Sequence, residues 1–288
     1  EKSSHSSFLI LFHLIKECRR QVSNIEQSFL FLMGANMSLY FIQILGGIFV
    51  FPPMVNGLQA LWMMLVIIPL FSVALMSNAA HPQIMNLITL KHASKRTLKE
   101  VIAILMEILV RFVVPIPLCI VINVWTVLAM PGIKSQNVGI LQLWFGQTPQ
   151  SVYNSPEYEL AMLYGQNFML FYLIVHFCFI SVGFLSDLHS LVTVKLWSNL
   201  KLLSVMPLTL MLQVLFTVAQ IAIQRGSMRG ADIWPALPFY FYIIFVLFPA
   251  LNLIFPEIVK RKKRKRFVVA QMKEKLLFQT RLGMWSPK

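Results

Sequence analysis

The chain has 288 residues, of which 57% are hydrophobic and only 12% charged, with a mean hydropathy of +0.70 and a formal net charge of +14. Soluble globular chains carry about 25% charged residues. A water-soluble protein with a single core is therefore excluded, and the composition points to an all-α integral membrane protein.

A spanning helix needs roughly 20 predominantly apolar residues. Six segments meet this, at about 29–51, 58–77, 102–128, 160–184, 203–223 and 236–256. Three regions follow: a stalk at 1–28, a six-span domain at 29–256 and a basic tail at 257–288. The stalk carries Lys16, Glu17, Arg19, Arg20 and Glu26. Its apolar stretch at 8–14 is too short to span, and no signal peptide is visible. A start on Glu1 suggests a piece of a longer protein.

In the first span, Asn36, Tyr40, Gln43 and Gly47 recur at helical spacing and share one face. The amide oxygens of Asn36 and Gln43 could line the path of a hard cation. The alternative is interhelical hydrogen bonding. A tight loop with Pro52-Pro53 leads to Leu61-Trp62, which opens a second span that Pro69 interrupts. The chain then exits through His81-Pro82 and Met85, and 78–101 reads as a short basic surface helix.

The third span holds Glu107 and Arg111, i,i+4 partners suited to a structural ion pair, and Pro115 and Pro117 break it. The fourth carries Gln166, Asn167 and His176, the last read as a hydrogen-bonded structural residue. Gln213 and Gln220 share a face in the fifth. Cys18, Cys119 and Cys178 show no disulfide or metal spacing and read as small hydrophobes.

Lys and Arg in the connecting segments set the orientation. With both termini cytosolic, the cytosolic segments hold 21 of these residues and the far side holds three, Lys134, Arg225 and Arg229. Six spans with termini on one side argue against a seven-span receptor. The tail opens on Lys260, Arg261, Lys262, Lys263, Arg264, Lys265 and Arg266, a block suited to anionic lipid at the cytosolic face. A nucleic-acid role is disfavoured by the span that precedes it.

No Gly-rich phosphate loop, paired carboxylates, zinc-protease motif or nucleophile elbow occurs. The Asp-Lys-Thr-Gly phosphorylation motif is absent too, so this chain carries no catalytic residues and no cofactor site of its own.

Arg19, Asn24-Ile25 and Asn36 resemble the stalk and fifth membrane helix of P-type cation ATPases. Pro52, Leu61-Trp62, Ala74-Leu75 and Pro82-x-x-Met85 are similar to the loop, sixth helix and exit that follow. The resemblance implies that the six spans correspond to helices five to ten of that family, with phosphorylation and nucleotide domains, and hence ATP, supplied upstream in the same protein. Of the family's ligand set, Asn36 alone carries over. Leu39, Met64, Ile67 and Ile68 stand at the other ligand positions, and Cys18 replaces a usual Gly. The wording of the whole segment is most similar to endoplasmic-reticulum members implicated in magnesium uptake. That implies an endoplasmic-reticulum membrane and Mg²⁺ as cargo moved from cytosol to lumen. The missing ligands keep a second reading open, a pseudo-pump acting as a regulatory or interaction membrane protein.

Overall fold

The computed structural model describes residues 2–79, 98–129, 156–185, 199–225 and 239–254, with isolated positions at 85, 133 and between 257 and 276. Most of the expected basic surface helix, the 130–155 loop and much of the tail lie outside the described residues. Lys260, Arg261, Arg264 and Lys265 are described in helical backbone, whereas Lys262, Lys263 and Arg266 are not.

All regular structure among the described residues is helical. The elements are α1 (Lys2–Ile48), α2 (Gly57–Trp62), a π-helical turn (Met63–Ile67), α3 (Ile68–Leu75), α4 (Leu98–Phe112), α5 (Pro115–Ala129), α6 (Pro156–Gly183), α7 (Leu200–Arg225) and α8 (Phe239–Asn252). Among the described residues, five helical stretches are long and apolar enough to cross a membrane: Ile10–Ile48, Gly57–Leu75, Val101–Ala129, Tyr158–Gly183 and Leu200–Ile223. The sixth expected span is described as the 14-residue α8. At 1.5 Å per residue, α1 is about 70 Å long, more than twice the roughly 30 Å of a bilayer core. Part of it therefore has to project into water.

Proline shapes two of these spans in different ways. The sequence suggested an interruption at Pro69, yet the helix runs on through it. Pro69 has no N–H to give the preceding turn. The ladder shifts to π register instead, with the Ile68 N–H bonding the Met63 carbonyl, a one-turn bulge that absorbs the lost bond. At Pro115 the outcome is a real break: turn residues 113–114 separate α4 from α5, because a residue before proline is pushed out of the α region.

The bundle forms by antiparallel packing. The middle of α1 meets late α3, α5 runs against α6, and α7 lies along both α6 and the α2–α3 helix. The most apolar stretch of α6 is 78% buried and that of α7 only 17%, so α6 is the central post and α7 a peripheral helix. One turn past Ser28, Phe31 of α1 touches the rings of Phe71, Phe112, Phe177 and Phe184, with centroids 5.7–5.9 Å away, within the range favoured by aromatic pairs. Small residues allow this approach. A Cβ on Gly34 would lie 2.3 Å from the Phe112 ring, and one on Gly165 2.6 Å from Asn123 Oδ1.

The turn after α1 carries strain. Val50 has φ of 52°. The bonds Val50 N–H to Gly47 O and Phe51 N–H to Gly46 O close a Schellman cap, whose left-handed position normally takes Gly. A β-branched residue there costs about 1–2 kcal/mol.

Gly34→Ala lowers the melting temperature of the detergent-solubilised protein, because the Phe112 ring is boxed in by Phe31, Phe177 and Phe184. Gly47→Ala, where a Cβ meets nothing within 4 Å, leaves it unchanged or raises it. Val50→Gly stabilises by about 1 kcal/mol, measured by chemical unfolding in mixed micelles; an unchanged midpoint contradicts the strain assignment.

Candidate functional site

A polar side chain inside a bilayer is costly and marks a candidate site. In the described structure such groups fall into two clusters, one at each end of the α1 and α2–α3 pair, separated by an apolar layer.

The first cluster joins the stalk end of the pair. Asn24 Nδ2 donates to the carbonyls of Met76 and Asn78, at 3.0 and 2.9 Å. One turn deeper, the Ser28 hydroxyl lies 2.7 Å from both the Ser72 carbonyl and the Ser72 hydroxyl. Asn199, just before α7, donates to the Ala74 carbonyl and to Asn78 Oδ1 (2.6 Å) while accepting from the Leu202 N–H. That last bond caps the start of α7. Arg20 Nη1 reaches the Asn78 carbonyl, and its Nε and Nη2 pair with Glu17. These donors gather carbonyls at and just beyond the end of α3.

The second cluster lies beside the 51–56 loop. Gln59 accepts from the Asn56 N–H and donates to Gln220 Oε1. Asn167 also donates to Gln220 Oε1, and Thr217 donates to Asn167 Oδ1. Trp62 Nε1 donates to Gln213 Oε1 at 3.1 Å, and its ring stacks on Phe216 at 4.6 Å. Gln166 donates to the Pro53 carbonyl at 2.7 Å. Together these bonds tie α2, α6 and α7 to the loop.

Between the clusters, the positions that the sequence resemblance matched to pump ligands are apolar. Leu39, Ile67 and Ile68 are buried in the core and Met64 packs against it. The face read as a cation path is half-buried at Asn36 and exposed further along α1. Asn36 is half-buried and gives its Nδ2 to the Leu32 carbonyl of its own helix. Tyr40, Gln43 and Gly47 are exposed on the outside of the described bundle, and Gln43 donates to the Val55 carbonyl. The two proposed amides are thus two turns apart on α1, each bonded to a backbone carbonyl.

Other residues fall as follows. Glu107 and Arg111 form the expected ion pair at 2.5 Å, and the buried Arg111 guanidinium sits 4.4 Å from the Phe184 ring centre. Cys119 and Cys178 are buried, as expected of small hydrophobes, whereas Cys18 is exposed. His176 departs from expectation. Both its ring nitrogens are buried without a hydrogen-bond partner among the described residues, and its contact is edge-on to Tyr172 at 4.6 Å. No group of three or more metal-ligating His, Cys, Asp or Glu occurs among the described residues.

Sequence reading found Gln166, Asn167, Gln213 and Gln220 individually. It missed Gln59, Ser28, Ser72, Asn78 and Asn199. The signal available for Gln59 was an amide three residues after Asn56, the spacing of a capping box. Nothing local marks Asn78 or Asn199, whose pairing spans 121 residues.

Long apolar helices, buried amide joints and a helix much longer than a bilayer define a multi-pass α-helical membrane protein. No family model matches the chain. It is similar to Transmembrane protein 94 of Homo sapiens, 25% identical over 289 residues, and to Transmembrane protein 94 of Mus musculus, 25% identical over 288 residues. Each match takes in 96% of this chain and 21% of the relative, so the chain spans about a fifth of the length of the curated relatives it matches.

The Gln59–Gln220 bond is open to a double-mutant cycle. Gln59→Leu and Gln220→Leu are expected to be non-additive by on the order of 1 kcal/mol in reversible micellar unfolding. Strict additivity removes this bond from the forces that hold α2 to α7.

Proposed function

We propose that this chain is the membrane-transport portion of a P-type ATPase-like cation transporter that moves Mg²⁺ from the cytosol into the endoplasmic reticulum. The observation that carries the reading is the α1 pair. One unbroken helix runs from outside the bilayer to its far side, and Asn24 and Ser28 bond it to a partner helix that a π turn and Pro69 make deformable. A push on the stalk then reaches the middle of the bundle through α3. In this reading the bundle has six spans, α8 belonging to the sixth, and both termini are cytosolic. ATP acts through domains upstream, and residues 260–266 meet anionic lipid.

The apolar ligand positions restrict the mechanism. Mg²⁺ dehydrates reluctantly and keeps several waters. A hydrated ion needs hydrogen-bond acceptors rather than a carboxylate cage. In this reading Asn36 Oδ1 is one such acceptor, and Gln43 extends the path.

In the longer protein that contains this chain, Asn36→Ala is expected to lower ATP-dependent lumenal Mg²⁺ uptake several-fold at unchanged expression. Normal uptake removes Asn36 from the path. The buried Leu39, Ile67 and Ile68 favour a second reading, a pump-shaped regulatory protein without transport. Ion-stimulated ATP hydrolysis by the reconstituted longer protein rules that reading out.

A further inference from the structure

We propose that a cleft between the stalk and the start of α7 binds the phosphate of an anionic phospholipid. This site is separate from the basic tail and independent of the transport reading; it requires only that the helices stand in a bilayer.

The cleft encloses about 390 Å³, within the roughly 300–1,000 Å³ typical of ligand sites. Arg20 and Gln21 of α1 line one wall, Met76 and Ser77 the floor, and Leu200 and Lys201 of α7 the other wall. Two cationic side chains from helices far apart in sequence thus converge on one space. Arg20 is held in place: Glu17 occupies its Nε edge and the Asn78 carbonyl takes one Nη1 hydrogen. A guanidinium has five N–H donors, so some remain for a phosphate, which its planar fork suits. Lys201 is exposed and its ammonium makes no ion pair among the described residues. It supplies the positive charge that Glu17 does not offset. Gln21, whose Nε2 gives one hydrogen to Glu17, and Ser77 add neutral donors.

The apolar half of the site matches a lipid rather than a soluble anion. Leu200 is 67% exposed and Leu203, one turn on, 37%; Met76 is also exposed. They continue from the cleft onto α7, the least buried of the candidate spans. A phosphate held by Arg20 and Lys201 leaves its acyl chains lying along that surface. A free phosphate or a soluble inositol phosphate has no use for it.

The test uses the longer protein purified in nanodiscs of phosphatidylcholine with a minor fraction of phosphatidylserine, with retained lipid measured by native mass spectrometry. Lys201→Gln touches no bond of the fold and is expected to reduce retained phosphatidylserine about fivefold, the weight of one basic residue near a membrane surface. Lys201→Arg is expected to restore it. Neutralising Arg261, Arg264 and Lys265 should leave this bound lipid in place. Retention unchanged by Lys201→Gln overturns the proposal. So does complete displacement of the lipid by millimolar inorganic phosphate or soluble inositol phosphate, which would assign the cleft to a soluble anion.

Discussion

The seam between α1 and α3 is the constraint on which the rest of the bundle depends. A carbonyl buried in the bundle away from water needs a donor from the protein. The end of α3 presents several, and Asn24, Arg20 and Asn199 take them. That fixes the height of α3 on α1. Once Ser28 and Ser72 are level, Phe31 stands opposite Phe71, and Phe112, Phe177 and Phe184 close around it. Slippage of α3 by one turn would unpair the amides and empty the ring cluster together.

The two polar clusters do different physical work. The one at the stalk end bonds side chains to backbone carbonyls, so it fixes helix ends. The one near the 51–56 loop bonds amide to amide across three helices, so it fixes helix rotation. Each such bond contributes modestly in a membrane, but a set of them specifies one arrangement among many that an apolar bundle would tolerate. The deformable turn at Met63–Ile67 lies between them.

Several sequence motifs acquire a physical meaning from this. The Asn24-Ile25 pair supplies the donor that reads the end of α3. Leu61-Trp62 supplies the indole that bonds Gln213 and stacks on Phe216. Ala74-Leu75 provides the carbonyl taken by Asn199. Each spacing was visible in the chain, yet the partners lie up to 151 residues away and no local pattern names them. The Asn36, Tyr40, Gln43 and Gly47 face was legible as a face, but its outward direction was not. Periodicity shows which residues share a side of a helix, never which neighbour covers it.

Composition and hydropathy by themselves determined that the chain spans a membrane, where most helices lie and that Glu107 pairs with Arg111, because these follow from apolar length and i,i+4 geometry along one helix. Pro115 was readable as a break for the same local reason. The tertiary structure alone decided that Pro69 bends the ladder into a π turn instead of ending it, since the packing of α3 on α1 holds the helix together across the lost bond. It alone also decided that His176 lies against Tyr172 with no hydrogen-bond partner among the described residues, and that Asn24, Asn78 and Asn199 meet. Those outcomes depend on which helices pack together, and side chains far apart in the chain become neighbours only after that choice is made.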